Sequence, residues 1–197
     1  MSAIRLLRVR GAEFEPWLGS VAALRIQVFR AFPYLYDGSY RYEEQYLRTY
    51  LECDTALCVL ALAGDRVVGA STGLALSDEV EPFRRPFEQA GLDTDSIFYC
   101  AESVLLPDYR GSGLYRRFFS ERERHARWLG KTLSVFCAVE RPPDHPLRPA
   151  DYQPLEPVWR HFGYAARRDL TTTFSWQDLG EAQESEKTMQ FYLKTLS

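Results

Sequence analysis

Glu102-Ser103-Val104-Leu105-Leu106-Pro107-Asp108-Tyr109-Arg110-Gly111-Ser112-Gly113-Leu114-Tyr115 is the stretch that decides the fold. A strand runs into a turn holding two glycines and a helix begins at once, so the first backbone N–H groups of that helix have no intrahelical partner. Such a helix start accepts an anion, phosphate above all. Gly111 and Gly113 lack Cβ atoms, which frees the backbone dihedrals and lets an anion approach the amides closely; Arg110 adds a positive charge. On spacing alone the turn reads equally well as a tight turn without a ligand. There is no Gly-x-x-x-x-Gly-Lys-Ser/Thr, and position 116 is Arg, so no third glycine completes Gly-x-Gly-x-x-Gly. Nucleoside triphosphate and dinucleotide readings weaken accordingly.

Working outward, Ile97 to Leu106 is strand-like, and Leu114 to Leu129 reads as a long helix closed by Gly130. Thr132 to Val139 reads as the next strand, so the order strand, helix, strand implies a crossover and a parallel pair. Upstream, Ile4 to Val9 reads as a strand. Phe14 to Phe32 reads as a helix, with Trp17, Val21, Leu24, Val28 and Phe32 on one face. Phe32 to Gly38 is loop, Tyr42 to Leu51 a second helix, and Leu57 to Ala63 with Val67 to Leu76 a hairpin about Gly64-Asp65-Arg66. A Pro-punctuated stretch with a short helix between Glu81 and Ala90 reads as an insertion or lid. Downstream come a Pro-rich loop from Arg141 to Pro154, a short helix from Val158 to Phe162, and two strands, Leu170 to Trp176 and Met189 to Leu196. The sum is one α+β domain over residues 1–197.

The composition narrows the function. The chain has 197 residues, 46% hydrophobic and 26% charged, and its 24 Lys+Arg against 27 Asp+Glu give a net charge of −3. That balance gives no field to attract nucleic acid or an anionic membrane, so neither is expected as a partner. No apolar run approaches the roughly 20 residues of a membrane helix, and Met1-Ser2-Ala3-Ile4-Arg5 opens no signal-peptide segment, so a cytoplasmic location is expected. Cys53, Cys58, Cys100 and Cys137 have no Cys-x-x-Cys spacing, and His125, His145 and His161 are scattered. Neither a disulfide framework nor a metal site is expected.

Leu105-Leu106-Pro107-Asp108-Tyr109 followed by Arg110-Gly111-Ser112-Gly113-Leu114-Tyr115 resembles motif A of the GNAT N-acetyltransferase superfamily. There, a strand ending in Val-x-Pro-x-Tyr/Phe leads to Arg/Gln-x-x-Gly-x-Gly/Ala and then a helix. The order of elements along nearly the whole chain is also similar to that fold. The resemblance implies a mostly antiparallel central sheet with a splayed parallel strand pair and flanking helices. It implies acetyl-CoA as co-substrate, with no metal. The pyrophosphate would sit on the amides of Arg110, Gly111, Ser112, Gly113 and Leu114, and the pantetheine arm would pair with backbone near Val104 and Leu105. Two residues depart from the pattern: Tyr115 stands where Gly or Ala is usual, and Trp159 stands where a Tyr-x-x-x-Gly-Phe tyrosine would donate a proton to the leaving thiolate. The paired C-terminal strands are a common meeting place in such domains, so a homodimer is an open expectation.

Acetyl transfer to an amine needs a route for the ammonium proton, a polarised carbonyl and a proton for the thiolate. Glu102, acidic in an apolar strand, is the candidate for the first; the competing reading is a carboxylate paired with a buried arginine. With Trp159 unable to donate an acidic proton, His145 and Tyr152 are the candidates for the last, against a purely structural part in a loop whose Asp144 and Asp151 are turn formers. Cys137 with His145 as nucleophile and base is weighed against the commoner strand cysteine, a small core hydrophobe. Tyr34, Tyr36, Tyr40, Tyr42 and Tyr46 read as aromatic walls of an acceptor pocket or as a packed loop. From Arg110 to Lys131 seven basic residues face two acidic ones, a solvated helix face in which Arg116 and Arg117 are the exceptions suited to an anion. The expected function is N-acetylation of a primary amine, on a small molecule or peptide, by direct attack in a ternary complex. The alternative is a GNAT-like domain that binds CoA or an acyl-CoA as a sensor or partner module.

Overall fold

The computed structural model describes residues 4–197; Met1 to Ala3, part of the N-terminal stretch read above for a leader, lie outside the described residues. Seven strands form one sheet: β1 (Ile4–Val9), β2 (Leu57–Ala63), β3 (Arg66–Ala75), β4 (Ile97–Leu105), β5 (Leu133–Val139), β6 (Ala165–Gln177) and β7 (Glu184–Thr195). Their order across the sheet is β1-β2-β3-β4-β5-β7-β6. The helices are α1 (Leu18–Phe29), α2 (Tyr40–Glu52), α3 (Glu81–Gln89), α4 (Leu114–Trp128) and α5 (Glu156–His161). All neighbouring strands are antiparallel except β4 and β5. The mixed sheet and its one parallel pair are those the sequence predicts. Central β2, Leu-Cys-Val-Leu-Ala-Leu-Ala, is apolar throughout because both its faces are covered.

Two features of β4 make the site. It pairs with β5 through only Ile97↔Leu133, Phe98↔Ser134 and Tyr99↔Val135, after which β4 continues along β3 while β5 continues along β7 to Val139↔Met189. The two strands therefore diverge beyond Tyr99. On its other edge β4 takes three steps, Tyr99 to Glu102, against the two from Leu74 to Thr72 on β3, which is a β-bulge. The bulge is accommodated by Gly73, where a Cβ would lie 2.5 Å from the Phe98 ring and 2.7 Å from the Tyr99 carbonyl oxygen. It also resets the alternation of side chains, so that Tyr99, Ala101 and Glu102 all line one cavity. Beyond it, Glu102 reaches Arg25 of α1 while the next residue, Ser103, accepts from Arg122 of α4, so these helices cover opposite faces.

Two boundaries differ from expectation. The helix predicted from Phe14 begins as a 3-10 turn, Gly11–Trp17, because Pro16 has no N–H for the α ladder; the α-helix proper starts at Leu18. The last two strands are longer than Leu170–Trp176 and Met189–Leu196, because their outer ends are polar and exposed and carry little periodic signal. No helix among the described residues is long and apolar enough to cross a membrane.

Candidate active site

The turn before α4 is built from backbone. Gly111 and Gly113 have φ of 71° and 80°, in the left-handed region, and a Cβ at either would meet nothing within 4 Å. No side chain of the described residues caps α4, and its first intrahelical bond runs from Arg117 N to Gly113 O at 3.2 Å, so the amides of Gly111 to Leu114 are unpaired; the Arg110 amide, expected among them, donates instead to the Pro107 carbonyl at 3.0 Å. Ser112 Oγ donates to the Tyr109 carbonyl and Arg110 Nε to the Leu105 carbonyl at 3.4 Å, bracing the turn from below. Leu114 is buried and anchors the helix, whereas Arg110 through Gly113, Arg116 and Arg117 are exposed. The other basic residues of the segment are engaged: Arg122 with Glu102 O and Ser103, Arg124 with Glu121, Arg127 with Glu123 and Ser197 O, and Lys131 with Asp95 O. Open amides, an uncapped fifteen-residue helix and two flanking arginines fit a pyrophosphate. The side chains of Val104 and Leu105 are buried in the core, so only their backbone is available to a ligand.

Across the sheet lies a cavity of about 520 Å³ between α1, α2, α3, β4 and the β6–β7 hairpin. Arg25 is its centre: Nε donates to Glu43 Oε2 on α2, and Nη1 lies 2.5 Å from Glu102 Oε2 on β4. The guanidinium also sits 4.5 Å from the Tyr46 ring centroid and 5.0 Å from that of Phe29. Burial works against its charge, but Glu102, Tyr46 and Glu43 outweigh burial and hold its proton more tightly than usual. Tyr46 donates from its hydroxyl to Glu102 Oε2 at 3.4 Å. Glu102 is thus paired with a buried arginine, one of the two readings its sequence context left open, and it lines the cavity at the same time.

Partly buried Glu79, just after the 3-10 turn that follows β3, lines the same cavity. Burial pushes its carboxyl up to about 7 against the bond it accepts from the Val80 amide, with Glu102 and Asp78 adding to the rise. The aromatic wall is fixed from outside by Arg141, which donates to the carbonyls of Pro33 and Tyr34 at 2.8 Å each and forks onto Asp178 at 2.7 and 2.9 Å. Trp176 Nε1 donates to the same Tyr34 carbonyl at 2.9 Å. Arg25, Glu43, Glu79 and Arg141 were not found from the sequence, where each is one charged residue among many. Glu43, 0% exposed in a helix of mostly polar residues, left a trace only as an acid on the buried face of α2.

The candidates for the thiolate acid fall elsewhere. Tyr152 lines a second cavity, of about 570 Å³, with Arg148, Trp159 and Tyr192. It packs edge-on against Phe32 at 4.7 Å under the Arg148 guanidinium, and burial pushes its hydroxyl up. His145 packs on Phe32 at 5.7 Å, and its Nδ1 accepts from the Leu147 amide at 3.2 Å. Neither belongs to the cavity that holds Glu102. Cys137 does line that cavity, but burial pushes its thiol up to about 12, with the Tyr99 hydroxyl 3.1 Å away, and His145 is not beside it; the pair is not a nucleophile and base. The two departures from the motif meet one another: Trp159 Nε1 donates to Tyr115 Oη at 2.9 Å, joining the first turn of α4 to α5.

No protein-family model matches the sequence, and no curated protein matches it significantly. Solved structures match nearly all of it. A ribosomal-protein-alanine N-acetyltransferase from Brucella melitensis is 16% identical, with 96% of this chain and 99% of that one covered and a TM-score of 0.62. A Desulfovibrio desulfuricans protein assigned to the GNAT acetyltransferases is 13% identical over 99% of this chain and 100% of its own, TM-score 0.61. A Salmonella typhimurium protein assigned to the acetyltransferases and solved with its cofactor acetyl-CoA is 10% identical over 98% of this chain and 95% of its own, TM-score 0.61. At these identities the likeness shows the fold.

Proposed function

We propose that this chain, which has the fold of the GNAT acetyltransferases, transfers an acetyl group from acetyl-CoA to a primary amine by direct attack. The observation that carries the reading is the divergence of β4 and β5 between an anion-binding helix start and a carboxylate-lined cavity. Acetyl-CoA supplies an activated acyl group as a thioester. The amides of Gly111 to Leu114, with Arg116 and Arg117, bind its pyrophosphate, and the free edge of β4 near Val104 and Leu105 orients the arm. In the cavity Glu102, fixed by Arg25, binds the acceptor ammonium. Glu79, whose carboxyl titrates near 7, receives the proton the amine must lose before it attacks.

For the thiolate proton we propose Tyr115, in the first turn of α4 beside the proposed pyrophosphate site, rather than His145 or Tyr152. Burial pushes its hydroxyl up, so it keeps its proton, and its oxygen already accepts from Trp159, which leaves the O–H hydrogen free to donate. A second reading, a domain that binds CoA or an acyl-CoA without turnover, is favoured by the same contact, because Tyr115 and Trp159 close onto each other between α4 and α5. Thiol release from acetyl-CoA in the presence of a panel of amines separates the two. Amine-dependent release supports transfer; saturable acetyl-CoA binding with no release from any amine leaves the binding domain.

A further inference from the structure

Charge and wall composition define the occupant of the cavity around Arg25 more narrowly than acetyl transfer requires. Two carboxyl groups, Glu43 at 0% exposure and Glu102 at 7%, share one guanidinium. One guanidinium balances one carboxylate. The second is left for another cation to meet, because a lone charge in a buried site is costly. In each carboxyl Oε2 faces Arg25, while Oε1 has no hydrogen-bond partner among the described residues. Asp37, Asp78, Glu79 and Glu184 extend the acidic lining, and among the described residues Arg25 is the only basic side chain on it.

The remaining wall is aromatic. Tyr34 and Trp176 lie 6.0 Å apart, and Phe83 stacks between Tyr99 at 5.2 Å and Phe174 at 5.7 Å. These faces accept a cation as well as an apolar body, as the placement of Arg25 on Tyr46 and Phe29 demonstrates. Tyr42, 45% exposed, stands at the rim beside Ser39.

We infer that the cavity binds an organic cation: a primary ammonium facing Glu102 and Glu43, carried on an apolar, ring-bearing body held by the aromatic wall. Binding rests on the cavity alone; only the fate of the amine rests on the acetyl-transfer reading. The volume suits a small molecule. A carboxylate on the ligand would meet the acidic lining and be rejected, so a free amino acid is disfavoured against the amine of the same side chain. A polyamine satisfies the charges but leaves the aromatic wall bare.

Calorimetric titration of the full chain with phenethylamine, phenylalanine and spermidine, without acetyl-CoA, tests this. Phenethylamine is expected to bind saturably and at least about tenfold tighter than either other probe. Glu102→Gln is expected to weaken it by about tenfold or more. Tyr42→Ala, at an exposed position that the fold does not need, is expected to weaken it several-fold. Phenylalanine or spermidine binding as tightly as phenethylamine overturns the inference, as does unsaturated phenethylamine binding at millimolar concentration. Thiol release from acetyl-CoA, measured separately with each amine, keeps the two readings apart. Release with spermidine or phenylalanine but not phenethylamine removes the ligand class and leaves acetyl transfer. Phenethylamine binding with no release from any of the three amines removes transfer and leaves the cavity's ligand.

Discussion

The turn before α4 and the cavity around Arg25 are made of different material. The turn is exposed, offers backbone amides, and occupies consecutive residues from Arg110 to Leu114. The cavity is a recess in the fold, offers side chains, and collects them from α1, α2, α3, β3, β4 and the β6–β7 hairpin. A backbone site needs only a local conformation, so its sequence requirement is short: two glycines and a helix start. A side-chain site needs the whole topology to bring its parts together, and its charges are then bound up with the stability of the core.

The largest expected effect tests that coupling. Arg25→Ala leaves Glu43 and Glu102 buried without their shared cation, which should cost about 3–5 kcal/mol in chemical denaturation. Gly113→Ala, at φ 80°, should cost only about 1–2 kcal/mol, the strain of a left-handed alanine. Equal losses at the two positions would erase the distinction between a stability-coupled site and a local one.

A smaller effect is expected from pH. The Glu79 carboxyl rises from an ordinary 4.5 to about 7 in the folded chain, so the native state binds this proton more tightly than the unfolded one. Its contribution is therefore present at low pH and is lost as pH rises from about 4.5 to about 7. Stability measured across that window should fall by a component that Glu79→Gln removes, with Asp78 and Glu102 still in place beside it. A fall that survives the substitution belongs to other groups. The turn contains no such group, and acetyl-CoA affinity should not follow this titration.

The smallest effect is expected where the first turn of α4 meets α5. Tyr115→Phe removes the acceptor of the Trp159 bond, a loss of about 1 kcal/mol. Thermal denaturation should shift only slightly and acetyl-CoA affinity should hold, while thiol release slows if the Tyr115 hydroxyl supplies the thiolate proton. Unchanged release assigns the proton to another source.

These differences in construction explain what was legible in the sequence. The parallel pair, the hairpin about Gly64 and the turn at Gly111 and Gly113 each follow from local pattern, and the structure contains them where the pattern puts them. Glu102 stood out because an acid in an apolar strand is conspicuous. Its partner did not, because Arg25 sits seventy-seven residues away, among apolar neighbours on a helix where an arginine reads as surface. The bulge that turns Glu102 toward α1 depends on how β4 lies against β3 around Gly73 and has no local signature. His145 and Tyr152 stand out in the sequence because they lie in the Pro-rich loop that leaves β5, next to one of the diverging strands. That loop instead packs on Phe32 and closes the second cavity. Tyr115 and Trp159 each looked like an isolated departure; only the packing of α5 on α4 shows that they are partners.

The most direct measurement is calorimetric titration of Gly113→Glu with acetyl-CoA and, separately, with phenethylamine, alongside wild type and Gly113→Ala. A carboxylate placed among the unpaired amides of α4 should abolish acetyl-CoA binding while phenethylamine binding persists, with Gly113→Ala retaining both. Wild-type acetyl-CoA affinity in Gly113→Glu would contradict the assignment of the turn.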